Sequence, residues 1–148
     1  MAEAIDVLLV DDSLADVTLT LRAIQAEEFP QKFKVLRDGE EALNFLFRQG
    51  PYVDRHTASS LKLVILDLKL PKVNGFEVLK VIKGDPEMKI IPVVILTSSS
   101  QESDIRTSYE LGANSYIQKP VNYDEFRTVM QRIRGYWLEV NRMLSVYK

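Results

Sequence analysis

The chain contains no cysteine, a single histidine, and no apolar run near the ~20 residues that a membrane-crossing helix requires. Without cysteine there are no disulfides, no thiolate metal ligands and no thiol nucleophile. The lone histidine, His56, has no nucleophile elbow to serve, which excludes serine hydrolase chemistry. Glycine is scarce, and none of the six glycines is followed by lysine or paired as Gly-x-Gly, so neither a Walker loop nor a dinucleotide-binding turn is present. No contiguous basic block accompanies the net charge of −2, which gives no general reason to bind nucleic acid. The opening Met-Ala-Glu-Ala-Ile-Asp lacks the basic and apolar regions of a secretory signal, and the expectation is a cytosolic protein that does not enter membranes.

What is present is regular alternation. The 148 residues fit one domain spanning 1–148. Apolar runs at Ile5 to Val10, Phe33 to Arg37, Lys62 to Leu66, Pro92 to Leu96 and Asn114 to Gln118 read as five strands. Amphipathic stretches lie between them, as in a parallel sheet covered on both faces. Helix starts are signalled by Ser13 with Asp16, Asp38 with Glu41, Ser99 with Glu102 and Asn122 with Glu125, each acid three residues after its cap. Leu43, Leu46 and Phe47, then Phe76, Leu79 and Ile82, recur at helical spacing and read as core.

Two segments exceed this pattern. Gly50 to Ser60 has turn formers and no periodicity, reading as a long loop that carries His56. The last helix keeps its pattern from Asn122 to Tyr147, a reach of roughly 35 to 40 Å. Its stripe of Phe126, Met130, Ile133, Trp137, Val140, Leu144 and Tyr147 steps by four and three, like a coiled-coil seam, with Gly135 weakening the helix locally. The far half either self-associates through this stripe or folds back on its own domain.

Charged residues gather at the strand ends. Asp11 and Asp12 follow the first strand, Asp67 the third and Lys119 the fifth, while Thr97 closes the fourth. In an open parallel sheet these ends share one edge, so the residues converge. Carboxylates brought together repel and raise one another's pKa, a conflict that a divalent cation resolves. An oxygen-only donor set favours Mg²⁺ over zinc. Asp67 is then a nucleophile able to form an acyl phosphate, Lys119 a cationic donor and Thr97 a hydroxyl on the same edge. Taken singly, Asp11 or Asp12 serves equally as a helix cap, Thr97 as the start of a loop and Lys119-Pro120 as a turn.

Together, Leu-Leu-Val-Asp11-Asp12-Ser, Val-Ile-Leu-Asp67-Leu-Lys-Leu-Pro, Thr97 thirty residues later and Lys119-Pro120 twenty-two beyond that resemble the receiver domain of two-component response regulators over nearly the whole chain. The resemblance implies a flavodoxin-like doubly wound α/β fold, a five-stranded parallel sheet of order 2-1-3-4-5 with five helices, the last extended. It implies that Asp67 accepts a phosphoryl group from a histidine kinase. Mg²⁺ would be bound by Asp12, Asp67 and the backbone carbonyl of Lys69, with Asp11 acting through water. Thr97 and Lys119 would hold the phosphoryl group, Thr97 and Tyr116 would form the switch, and the bond before Pro120 would be cis. A Tyr116 packed permanently on the sheet is the alternative.

The loop at Gly50 to Ser60, the phrase Asp-Leu-Lys-Leu-Pro-Lys-Val-Asn-Gly and the Tyr136-Trp137 helix look like the stand-alone regulators that partner bacterial phytochrome kinases. This narrower resemblance implies a light-sensing kinase and a homodimer formed through the last helix, with Phe126, Met130, Ile133, Trp137, Val140 and Leu144 as its surface. The expected role is a phosphorylation-controlled interaction protein with an unknown downstream protein target, whose only chemistry is self-phosphorylation and its reversal. The competing classes are an aspartyl-phosphate phosphatase or phosphotransferase, which commonly has a second acid where this chain has Lys69, and an unphosphorylated pseudo-receiver scaffold. Lys69 places a second cation beside an acyl phosphate on Asp67, which would slow hydrolysis. Lys69→Asn is therefore expected to dephosphorylate faster, and an unchanged rate would sink this idea.

Overall fold

Every residue of the first strand is apolar because both faces of the sheet are covered. In the computed structural model, which describes residues 4–53 and 61–144, Val7 and Leu9 face one core while Leu8 and Val10 face the other. The strands are β1 Val7–Val10, β2 Phe33–Leu36, β3 Leu63–Leu66, β4 Val93–Thr97 and β5 Ser115–Gln118. They form one parallel sheet of order β2-β1-β3-β4-β5. Between them run α1 Leu14–Ala26, α2 Gly39–Leu46, α3 Gly75–Gly84 and α4 Glu102–Glu110, with α5 Tyr123–Ile133 last. This is the parallel sheet expected from the alternation and the doubly wound flavodoxin-like order implied by the resemblance to receiver domains.

The period of two along each strand sorts the cores. Leu8, Val10, Val64, Leu66, Val93 and Ile95 meet Ala42 and Phe45 of α2 and Val78, Leu79 and Ile82 of α3. Val7, Leu9, Leu63, Ile65, Val94 and Leu96 meet Ala23 of α1 and Met130 and Ile133 of α5. Three of the expected caps are made: Ser13, Asp38 and Asn122 accept from the N–H groups of Asp16, Glu41 and Glu125. Asn74, which the sequence reading passed over, caps α3 through the N–H of Glu77. Ser99 does not cap α4; its hydroxyl donates to Asp104 and accepts from the N–H of Gln101, and the helix starts unaided after Gln101.

Of the two excess segments, the first opens with a 3₁₀ turn at Gly50–Tyr52, with Tyr52 edge-on against Phe45 at 5.3 Å; residues 54–60 of the expected loop, His56 among them, lie outside the described residues. The last helix is continuous for eighteen residues and ends at Val140, not Tyr147, because Asn141 is extended. Its last seven residues, Arg134–Val140, are wound as a π-helix, closed by Asn141 N–H donating to the Tyr136 carbonyl at 2.7 Å. Wider turns break the four-and-three stripe. Phe126, Met130 and Ile133 are buried in this chain's own core, which corrects their assignment to a dimer surface. Trp137 packs beside them, and Val140 and Leu144 stand 66% and 71% exposed. Tyr147 lies outside the described residues.

At the opposite edge from the strand ends, one lysine ties the α3 side to the sheet. The Lys83 ammonium donates to the Lys89 and Ile91 carbonyls and the Asn114 side chain at 2.8–3.0 Å, and burial lowers its pKa to about 8. Gly112, at φ +103°, lies so close that a Cβ would fall 2.9 Å from Lys83 Cγ. Lys83→Met leaves three acceptors without this donor and is expected to cost about 1–3 kcal/mol in urea unfolding; an unchanged midpoint would deny the lysine this structural role.

Candidate functional site

The sheet ladder continues one residue past each strand and positions the charged residues. Asp11 N–H donates to the Leu36 carbonyl, Asp67 N–H to Val10 and Lys119 N–H to Thr97, at 3.0, 3.0 and 2.7 Å. Asp11 and Asp67 flank the β1/β3 crevice, where the strand order reverses and doubly wound folds bind their ligands. The loop after Asp67 closes tightly on α3: Gly75 N–H donates to the Leu68 carbonyl, and a Cβ on Gly75 would fall 2.2 Å from the Asp67 carbonyl oxygen. Only glycine permits that approach.

Lys119 is the centre of the site. Its ammonium lies 2.7 Å from Asp67 Oδ2, 3.0 Å from Asp11 Oδ2 and 2.8 Å from Asp16 Oδ2. Asp67 Oδ1 accepts from the N–H groups of Leu68 and Lys69 at 2.7 and 3.4 Å. Burial raises the Asp11 carboxyl from its ordinary 3.8 to about 6; the Ser13 N–H and Lys119 oppose this, and the charge of Asp67 adds to it. Burial likewise works against the Lys119 ammonium. The bonds from Asp16 and Asp67 and the charges of Asp67 and Asp11 outweigh it and lift the lysine above its ordinary value.

Thr97 ends β4 fully buried, and its hydroxyl has no hydrogen-bond partner among the described residues. Leaving such a buried hydroxyl unpaired costs about 1–3 kcal/mol. Tyr116 is half-buried, and its hydroxyl donates to the Ser99 carbonyl at 2.9 Å. The peptide bond before Pro120, expected cis, is trans, as every described peptide bond is, with the Lys119 N–H held by the Thr97 carbonyl.

The three carboxylates that converge are not the three expected. Asp11 and Asp67 are there; Asp12 is exposed, and its carbonyl accepts from Arg37 at 2.7 Å. Asp16 takes the third place, although its position in the sequence reads as the acid of a capping box. Among the described residues no trio of acidic side chains forms a ready-made metal cluster. The donor chemistry fits a hard divalent cation all the same, since Asp11 and Asp67 are carboxylates meeting at one ammonium, Asp12 adjoins Asp11, and among the described residues no histidine or cysteine competes.

A family model described as "Response regulator receiver domain" matches residues 7–131. The chain belongs to this family. Among curated relatives, the receiver is 41% identical over 133 residues to response regulator Rcp1 of Synechocystis sp., covering 90% of this chain and 88% of that one. It is 39% identical over 137 residues to a probable methanogenesis regulatory protein, FilR2 of Methanothrix harundinacea, covering 92% and 85%. Among solved structures, the phosphorylated cyanobacterial phytochrome response regulator RcpA superposes with a TM-score of 0.87 at 37% identity, covering 97% of the receiver and 100% of RcpA. A Mn²⁺-bound form of Rcp1 gives 0.83 at 40% identity, covering 93% and 97%.

The raised Asp11 carboxyl sets a pH dependence. Between 3.8 and about 6 the folded receiver keeps a proton that the unfolded chain has released, so this contribution is full at low pH and is lost as pH rises through about 6. The loss amounts to roughly 3 kcal/mol. In metal-free buffer Asp11→Asn is expected to gain stability relative to wild type between pH 4 and 7.5 in denaturant titrations; a pH-independent difference would show an unperturbed carboxyl.

Proposed function

We propose that this receiver accepts a phosphoryl group on Asp67 from a histidine kinase and signals through altered protein contacts. The observation that carries the reading is the Lys119 ammonium 2.7 Å from Asp67 Oδ2 on an edge where the buried Thr97 hydroxyl lacks a partner. An Asp67 oxygen forms the O–P bond while the P–N bond to the donor imidazole breaks; the electron pair leaves with that nitrogen, which takes a proton from water. Lys119 then pairs with a phosphoryl oxygen and Thr97 donates its hydroxyl to another. Asp12, Asp67 and the Lys69 carbonyl, with Asp11 through water, would hold a divalent cation, Mg²⁺ by its oxygen-only donors. Such an ion offsets the anionic charge of the incoming group.

The signal leaves through Tyr116. Engagement of Thr97 by phosphate frees space that the ring can enter by giving up its bond to the Ser99 carbonyl, changing the face built by α4, β5 and α5. The partner we infer is a phytochrome-type kinase in the cytosol, supported by likeness to Rcp1 and RcpA. Exposed Tyr136, Val140 and Leu144, with Trp137 beside them, supply an apolar end through which two copies pair. Chemistry is confined to gain and loss of the receiver's own phosphoryl group, because Lys69 stands where phosphatases commonly carry a second acid.

The test is intact mass after incubation with acetyl phosphate. A Mg²⁺-dependent gain of one phosphoryl group, absent in Asp67→Asn, is expected. A gain that survives the substitution would show that Asp67 is the wrong residue, and no gain with either acetyl phosphate or a histidine kinase would mark a pseudo-receiver.

A further inference from the structure

Asp16 reaches Lys119 because the capping box that would otherwise occupy it is only half made. Ser13 accepts from the Asp16 N–H at 3.2 Å, as a cap does. The reciprocal bond, from the third-residue acid back to the cap's own N–H, is missing, since the Ser13 N–H donates instead to Asp11 Oδ1 at 2.9 Å. Asp11 thus performs the return half of the box, and the Asp16 carboxylate is released to face the ammonium.

The ammonium has three protons and three carboxylates around it; phosphorylation turns the Asp67 contact into the phosphoryl group's own, so any further phosphoryl oxygen is bound only by displacing Asp11 or Asp16. The three are not equally held. The side chains of Asp11 and Asp67 are 4% and 8% exposed, whereas that of Asp16 is 27% exposed, and water can replace the lysine there at least cost. We propose that Asp16 is a positioning residue that competes with the phosphoryl group for Lys119, restraining the ammonium on the α1 side in the resting receiver and releasing it when Asp67 is phosphorylated. This inference rests on Asp67 as the phosphoacceptor and adds a restraint from α1, outside the strand-end residues.

The consequence is a resting state favoured over the loaded one. Removing the carboxylate while keeping the backbone N–H that Ser13 caps favours the loaded form. Beryllofluoride with saturating Mg²⁺, a phosphoryl mimic observed by ¹⁹F NMR, reads this without turnover. Asp16→Asn is expected to bind it about fivefold more tightly, the upper end for a partly exposed ion pair, and Asp16→Glu to stay near wild type. Ser13→Ala, which weakens the helix start without removing a contact to Lys119, is expected to lower the melting temperature and leave the affinity unchanged. Equal or weaker binding by Asp16→Asn overturns the proposal, as does a matching gain in Ser13→Ala, which would make the effect one of helix position. A wild-type receiver that neither binds beryllofluoride nor gains mass from acetyl phosphate defeats the phosphoacceptor reading itself, and the restraint with it.

Discussion

One ammonium facing three carboxylates is the constraint on which the functional edge depends. Lys119 alone cannot neutralise Asp11, Asp16 and Asp67, and its own side chain is only 6% exposed. Unpaired charges of either sign would be costly in such a setting, so each member needs the others. The surplus negative charge has two outlets. A proton can be retained on Asp11, whose carboxyl burial already raises to about 6, or a divalent cation can join the carboxylates. The arrangement is therefore held together by one cation, Lys119.

An apolar sheet makes this affordable. β1 and β3 are buried on both faces, and the ladder through β2, β1 and β3 fixes Asp11 and Asp67 through the N–H groups just beyond β1 and β3. β4 and β5 do the same for Thr97 and Lys119. Tyr116 lies on β5 and Lys119 just past its end, three residues on, so the lysine that meets the acids and the aromatic that meets Ser99 are held by one short strand.

The other cover of the sheet is tied by polar contacts between helices. Glu27, at the end of α1, accepts from Arg127 and Gln131 of α5, and its carbonyl accepts from Arg134, whose guanidinium also lies 4.9 Å from the Phe29 ring centre. Arg134 begins the π-wound stretch and pairs with Glu139 within it. The widening starts at Arg134, directly after buried Ile133, and within it Trp137 and Leu138 pack against the core.

Periodicity determined most of this receiver. The strands, their alternation with helices, three of the caps and the set Asp11, Asp67, Thr97 and Lys119 on one edge were legible because each depends on local pattern or on the direction of a parallel sheet, whereas the strand order followed from the family resemblance of the motifs. Tertiary structure decided what depends on competition between partners. Asp16 joined the site and Asp12 did not, since Asp11 took the Ser13 N–H that a capping box would assign to Asp16. Ser99 gave up its cap for Asp104, and Phe126, Met130 and Ile133 went to this chain's own core because the sheet lay beneath them. A linear sequence names the donors and acceptors; which of them pair is settled only when several reach the same atom in space.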